Sequence, residues 1–224
     1  MAYQNGPRIV TDGLLFNFDA SSNKSITTGS TVWKDLSVNK HTATLLNGAS
    51  FVSGSPSYVN FDGADDWARI DFPSAITLST YTHDYWVYKS GYAAGYNTIV
   101  DFGNDRNAVM TNNNSVLHFN PTIGANYTIP LGFPTWTHIA VSHAFGGPFY
   151  FYINGQLTLT SGNNSTVHSN VPSAGIGGGI TGATTIDEAW SGRAGILKFY
   201  LNKALTAEEV RQNYHATKGR YGLS

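Results

Sequence analysis

The sequence predicts an all-β domain, a sandwich or a barrel, with a single helix near the C-terminus. Runs rich in β-branched and aromatic residues recur at short intervals, each bounded by Gly, Pro, Asn or Ser. Hydrophobic residues make up 41% of the 224 residues, which is enough for a sizeable core, and charged residues only 12%. Low charge argues against intrinsic disorder. No linker or shift in composition divides the chain, so we predict one domain.

Strands are expected wherever such a run lies between turn residues. The predicted strands are Gly13–Asp19, Ser57–Phe61, Trp67–Phe72, Tyr81–Tyr88, Thr98–Phe102, Val116–Asn120, Trp136–His143, Phe149–Ile153, Gln156–Thr160 and Gly195–Leu201.

The clearest strand pattern is WTHIAVSHAFGGPFYFYINGQL, residues 136–157. Side chains alternate between the two faces of a strand. In the first run Ile139 and Val141 therefore share an apolar face. In the second run the phenylalanines share a face, and Tyr150 and Tyr152 lie opposite them. Each strand has one side suited to a core, and the stretch is predicted to be a meander within a sheet.

Turn residues separate these strands. Gly146-Gly147-Pro148 fits the first connection, and Asn154-Gly155 is a strong hairpin signal because both residues tolerate positive φ. The polar segment Ser161–Ser173 is predicted to be a surface loop. The glycines of Gly175–Gly179 predict a tight turn or a closely packed strand, since no Lys-Ser/Thr pair follows them to form a phosphate loop.

One helix is predicted over about residues 206–217. Thr206 suits the N-cap, and Glu209 three residues later completes a capping box. Leu205 and Val210 can form a hydrophobic staple across the same turn. The helix is expected to follow the last strand of an otherwise β domain.

Five segments, in order along the chain, resemble successive parts of the concanavalin A-like sandwich in its laminin-G-like, jelly-roll form. They are LLFNFDASS, WKDLSVNKHTATLLNGASF, YVNFDGADDWARI, WTHIAVS with YINGQL, and AGILKFYLNKALTAEEVRQNYHATKGRY. The resemblance implies two antiparallel sheets packed face to face over residues 13–224. Residues 1–12, which are polar and contain Gly-Pro, are expected to form an N-terminal arm that lies along a neighbouring subunit.

The C-terminal KGRYGL resembles the end of stand-alone jelly-roll proteins of tailed bacteriophage particles. This resemblance implies a non-catalytic virion protein, a capsid decoration or cement protein that binds coat subunits through its sandwich surface and arm. The partners expected are capsid or tail proteins of the same particle and further copies of the chain, for example in a trimer. Two alternatives stay open: a lectin-like tail-fibre component that binds host surface glycans, and a divergent glycoside hydrolase.

Tyrosines are the candidate contact residues for a glycan or a protein partner, because aromatic rings are enriched in interfaces and pack against sugars. The same residues are also common in any strand. The candidates are Tyr85, Tyr88, Tyr92, Tyr96, Tyr150 and Tyr152.

A metal site has one candidate set. Asp62, Asp65 and Asp66 offer oxygen ligands for calcium, which laminin-G-like domains often carry at a sheet rim. The alternative is that these residues only build a turn. His138 and His143 are five residues apart on one strand, so they face opposite sides and cannot bind one metal ion together.

Catalysis has no supporting pattern. The Glu-x-Asp-x-x-Glu signature of the superfamily's laminarinases is missing, and the adjacent Asp187 and Glu188 would face opposite sides of a strand. No nucleophile elbow is present. We therefore predict a protein that is not an enzyme and requires no cofactor.

Charge and composition exclude several partners. The net charge is −1, the pI is about 6.6 and no basic block exists, so nucleic-acid binding is not expected. Cysteine is absent, which excludes disulfides and thiolate metal sites. No apolar run is long enough to span a bilayer, and the first residues show no signal-peptide pattern, so a location in the virion after synthesis in the host cytoplasm is expected.

Overall fold

The computed structural model describes residues 7–90, 95–103, 108–112, 116–122, 125–130, 134–182 and 184–223. Within them, antiparallel strands form two large sheets and one small one. The first large sheet, sheet A, contains, in spatial order, β14 (Gln156–Asn163), β13 (Pro148–Ile153), β12 (Thr137–His143), β7 (Tyr81–Lys89), β18 (Ser191–Leu201), β5 (Tyr58–Asp62) and β4 (Ser50–Val52), with β1 (Leu14–Asp19) also paired to β18.

Sheet B lies opposite sheet A. It contains, in spatial order, β11 (Ala125–Pro130), β10 (Val116–Thr122), β9 (Ala108–Asn112), β8 (Asn97–Asp101), β15 (His168–Ile176), β6 (Trp67–Leu78), β3 (Thr42–Leu46) and β2 (Val32–Lys34). The two-stranded sheet pairs β16 (Gly179–Ile180) with β17 (Ile186–Asp187). The predicted two-sheet antiparallel sandwich is confirmed.

The core fills the space between the sheets. The alternation in β12 works as predicted, because Ile139 and Val141 join this core, whereas Ala140 belongs to a second apolar cluster on the outer face of sheet A. Trp33 and Trp190 are among the largest fully buried side chains. Aromatic side chains of this size supply much of the apolar area that folding removes from water.

The helix α1 (Ala207–Thr217) packs on the outer face of sheet A and continues into a 3₁₀ turn over Lys218–Tyr221. Its predicted capping box is confirmed. The Glu209 backbone N–H donates to Thr206 Oγ1 at 3.2 Å, and the Thr206 N–H donates to Glu209 Oε2 at 2.9 Å. The helix leaves only part of the outer face of sheet A open to solvent.

Residues 7–12, which belong to the predicted N-terminal arm, contact their own chain. The Val10 N–H donates to Asn213 Oδ1 at 2.8 Å, and Tyr200 Oη donates to the Val10 carbonyl at 2.9 Å. Gln212 Nε2 donates to the Arg8 carbonyl at 2.6 Å. This part of the segment is therefore held by α1 and β18 of its own chain. Residues 1–6 of the predicted arm lie outside the described residues.

The prediction of a surface loop over Ser161–Ser173 is wrong at both ends, where the structure has strands. β14 continues to Asn163, and β15 already begins at His168. These strand ends are polar and largely exposed, so they lack the apolar alternation that marks a half-buried strand. Pairing of β14 with β13 and of β15 with β6 supplies their backbone hydrogen bonds instead.

The glycine-rich segment that follows β15 is closely packed. Gly177 adopts φ +86°, and a Cβ atom there would lie 2.5 Å from the Phe61 ring. In the described part of the chain, no helix has the length and apolar character needed to cross a membrane.

Candidate ligand-binding site

Four side chains form a row across neighbouring strands on the outer face of sheet A: Tyr58 on β5, Arg193 on β18, Tyr88 on β7, and Trp136 just before β12. The register places them side by side, because Arg193 pairs with Tyr88, and Thr137 pairs with the residue before Tyr88. The intervening strand residues point into the core, so the alternation sends the row to the opposite face. We call these four residues the arginine–tyrosine row.

Arg193 is held between two rings. Its guanidinium carbon lies 4.7 Å from the ring centroid of Tyr58 and 4.6 Å from that of Tyr88. The Trp136 ring is 6.1 Å from the Tyr58 ring and 5.8 Å from the Tyr88 ring. These cation–π contacts fix the guanidinium plane without using its N–H donors. All four side chains are half-buried, so part of each remains accessible.

The charge of Arg193 has no counter-ion among the described residues. No side-chain hydrogen bond or ion pair reaches its guanidinium there, and its Nε is a buried donor without an acceptor. A guanidinium presents a planar fork of donors that matches a carboxylate or two hydroxyl oxygens. The row therefore combines ring faces, which pack against apolar ligand surface, with unused charged donors.

The C-terminal 3₁₀ turn contacts the row through Tyr221. The Tyr221 ring lies 4.9 Å from Trp136 and stacks on Trp86 at 4.1 Å. Trp86 Nε1 donates to Thr217 Oγ1 at 2.8 Å, which ties this stack to the end of α1. A Cβ atom at Gly195 would lie 2.4 Å from Tyr221 Oη, so glycine is required for this close approach.

The prediction that the contact tyrosines lie at the surface is wrong for two of them. Tyr85 is fully buried between the sheets, and its hydroxyl is 2.6 Å from His83 Nδ1. Tyr152 points to the outer face as predicted, but it is only 3% exposed because it lies in the apolar cluster beneath α1. Alternation gives the face of a strand residue, but it does not show that a helix covers that face.

Of the other predicted tyrosines, Tyr88 belongs to the row, whereas Tyr96 and Tyr150 are 36% and 38% exposed and lie outside it. Tyr92 lies outside the described residues. Sequence reasoning missed Tyr58, Trp136 and Arg193. Arg193 was missed because the last strand was predicted to begin at Gly195. In the structure β18 begins earlier, at Ser191, and has a bulge between Ala194 and Ile196.

The three aspartates of the predicted calcium site do come together. Their carboxylate oxygens lie within 4.8 Å of one another. The Asp62 N–H donates to Asp66 Oδ2 at 3.0 Å, and the Ala64 N–H donates to Asp62 Oδ1 at 2.8 Å. Burial raises the pKa of the Asp66 carboxyl, and the charges of Asp62 and Asp65 add to this rise. The carboxylates thus build the turn, which is the alternative that the sequence offers to a calcium site.

The two histidines of β12 face opposite sides, as predicted. His138 Nε2 lies 3.2 Å from Asp84 Oδ1 beneath α1, whereas the His143 ring stacks on Phe149 at 4.1 Å on the core side. They cannot share a metal ion.

Family membership follows from a match that covers more than half of the chain. A laminin-G family model of the concanavalin A-like lectin/glucanases superfamily matches residues 62–211. The chain belongs to this superfamily. The resemblance found in the sequence is thereby confirmed at the level of family and fold, whereas the bacteriophage context receives no support from it. No curated protein sequence matches the chain.

Two solved structures are similar to this chain in fold. The Trypanosoma rangeli sialidase in complex with sialic acid is 16% identical, with a TM-score of 0.69, over 96% of this chain and 35% of that chain. The ligand-binding domain of botulinum neurotoxin serotype D in complex with N-acetylneuraminic acid is 13% identical, with a TM-score of 0.69, over 92% of this chain and 51% of that chain. This chain therefore spans between about a third and about half of these proteins, and at such identities the similarity shows a shared fold.

Proposed function

We propose that this domain binds carbohydrate at the arginine–tyrosine row and does not catalyse a reaction on it. The observation that carries the proposal is the Arg193 guanidinium, which is fixed between Tyr58 and Tyr88 beside Trp136 and has no side-chain partner for its donors among the described residues. Membership of a superfamily of lectins and glucanases supports it. So do the similar structures whose complexes contain sialic acid or N-acetylneuraminic acid.

The row suits a sugar ring on physical grounds. A pyranose has apolar C–H faces, which pack against aromatic rings such as Tyr58 and Trp136, and a rim of hydroxyl groups, which accept hydrogen bonds. The fixed guanidinium of Arg193 donates to those hydroxyls or to a carboxylate on the sugar. Because the cation–π contacts already hold the side chain in place, little rotamer entropy is lost on binding.

A glycan array probed with the full chain tests the proposal, followed by calorimetric titration of the retained glycans. Tyr58→Leu and Arg193→Gln should each weaken binding about tenfold, because each removes one well-placed contact of about 1.4 kcal/mol. Tyr150→Leu is the matched control, since it removes an exposed tyrosine from the same sheet outside the row. Thermal unfolding of each variant checks that the fold is intact. Equal affinities in all three variants, or no glycan retained, contradict the proposal.

The absence of catalysis has its own test. Each retained glycan is incubated with the chain, and the products are separated by chromatography. We expect no cleavage. Turnover that is lost in a single carboxylate variant, for example Asp66→Asn, contradicts this part of the proposal and supports the alternative of a divergent glycoside hydrolase.

The capsid decoration protein stays a prediction, as does a tail-fibre location. Its mechanism included an N-terminal arm on a coat subunit, but the described residues 7–12 of that arm pack on their own chain. Size-exclusion chromatography with light scattering tests the predicted homo-oligomer. A closed trimer supports assembly into a symmetric particle, and a monomer removes that support.

A further inference from the structure

A second concave surface lies between the β13–β14 hairpin and α1. This groove has a volume of about 710 Å³. The turn at Asn154 and Gly155 forms one wall, and the second half of α1 forms the other. Gly155 makes the approach of the two walls possible, since a Cβ atom there would lie 2.9 Å from the Tyr214 ring.

The groove is cationic. Arg211 and Lys218 line it together with His215, and none of its described lining residues is acidic. Their spacing of four and three residues places them on one face of the helix and the turn that follows. No ion pair among the described residues involves any of the three side chains. Basic residues near a helix C-terminus offset its dipole, but that effect does not require all of them to face the same groove.

Polar and aromatic groups complete the lining. Gln156 presents an exposed amide. Tyr214 supplies a ring, and the Lys218 ammonium lies 5.9 Å from the centroid of that ring. Amides, a ring face and cations together suit an acidic sugar. A nucleic acid is disfavoured, because the chain has a net charge of −1 and its cations form a short cluster instead of a track along a backbone.

We propose that this groove binds the anionic group, a carboxylate or a sulfate, of an acidic oligosaccharide. Ring contacts connect it to the arginine–tyrosine row: Tyr214 to Trp86 at 5.7 Å, Trp86 to Tyr221 at 4.1 Å, and Tyr221 to Trp136 at 4.9 Å. Trp86 and Tyr221 are buried, so this stack links the two surfaces through the interior. The inference rests on the proposed carbohydrate binding for its class of ligand, and on the groove itself for the requirement of negative charge.

The test uses three oligosaccharides of similar length with the full chain: a heparin-derived hexasaccharide, hexagalacturonate and neutral cellohexaose. The sulfated and the carboxylate-only probes separate the two sources of negative charge. The double variant Arg211→Gln/Lys218→Gln should weaken binding of an acidic probe about tenfold, and the wild-type affinity should fall between about 50 and about 500 mM NaCl because salt screens exposed charges. Lys24→Gln/Lys40→Gln is the matched control, since it removes the same charge from exposed positions outside the groove.

The outcomes separate this inference from the proposed function. Weaker binding of an acidic probe in the groove variant, with the control variant unchanged, supports the groove. If no acidic probe binds, or if the groove variant binds as tightly as the wild type, the groove inference is overturned. Arg193→Gln, measured in the same titrations, tests the row. If Arg193→Gln weakens binding and the groove variant does not, the proposed function is supported and the groove inference is overturned.

Discussion

Asp84 and Lys198 form an ion pair in which neither side chain is exposed, with Nζ 2.5 Å from Oδ1. The same carboxylate lies 3.2 Å from His138 Nε2 and accepts a hydrogen bond from Asn213 Nδ2 at 2.8 Å. Burial alone would raise the pKa of Asp84, but Lys198 and His138 hold it well below its usual range. One carboxylate thus joins β7, β12 and β18 to α1.

Asp84→Asn should destabilise the fold by about 3–5 kcal/mol, because it leaves the Lys198 ammonium buried without a counter-ion. Urea denaturation at pH 7 measures this free energy. Asp71→Asn is the control, since Asp71 pairs with Arg69 on the surface and its side chain is 69% exposed, so its loss should cost less than about 1 kcal/mol. Similar losses in the two variants contradict the structural role of the buried pair.

His83 should make the fold sensitive to acid. Its ring is fully buried between the sheets, and burial lowers its pKa from 6.5 to about 3. Between these two pH values the unfolded chain takes up a proton that the folded chain does not, so stability should fall as the pH falls from about 6.5. The variant His83→Phe/Tyr85→Phe should lose less stability between pH 7 and pH 4 than the wild type does. Tyr85→Phe alone keeps His83 and should retain the wild-type slope in denaturant titrations at the two pH values.

Gly155 should be intolerant of any side chain. It adopts φ +75°, and an added Cβ atom would also collide with the Tyr214 ring at 2.9 Å. Gly29 is a matched control, because it has φ +77° and no heavy atom within 4 Å of the added Cβ. Gly29→Ala should therefore lose only the left-handed backbone strain of about 1–2 kcal/mol, and Gly155→Ala should lose more. Equal losses in thermal or urea unfolding contradict the contact with Tyr214.

Local patterns predicted the elements whose two faces differ. β12 and β13 alternate clearly, so their strands, their hairpin turn and the residues that enter the core followed from the sequence. The extension of β14 and most of β15 did not, because polar strand residues that are held by backbone pairing leave no apolar pattern. The difference is between order imposed by burial and order imposed by a neighbouring strand.

The candidate site depended on information of a third kind. Tyr58, Tyr88 and Trp136 each look like ordinary strand aromatics, and only the register of β5, β18, β7 and β12 brings them around Arg193. Tyr152 and Tyr150 show the complementary limit, since they share a face of β13 and only one of them is covered by α1. Neither pairing between distant strands nor coverage by a helix is encoded in a local window.

The acidic turn provides the last two predictions, the first of which concerns pH. Burial raises the pKa of Asp66 above its unfolded value, so the ionised form costs stability at neutral pH, and protonation removes that cost as the pH falls. Asp66→Asn keeps the side-chain oxygen that accepts from the Asp62 N–H. Its stability relative to the wild type should therefore be more favourable at pH 7 than at pH 4, as measured by urea denaturation. A relative stability that does not change with pH contradicts a raised pKa.

Bound calcium would shift the comparison of stability between Asp66→Asn and the wild type in favour of the wild type. An ion bound to Asp62, Asp65 and Asp66 stabilises the ionised carboxylates, so it raises the melting temperature of the wild type and not that of Asp66→Asn. We expect no such rise in about 5 mM CaCl₂, a concentration above the Kd of weak protein calcium sites, because oxygens of Asp62 and Asp66 already accept backbone N–H groups of the turn. A rise in the wild type alone shows that the carboxylates bind the ion as well as build the turn.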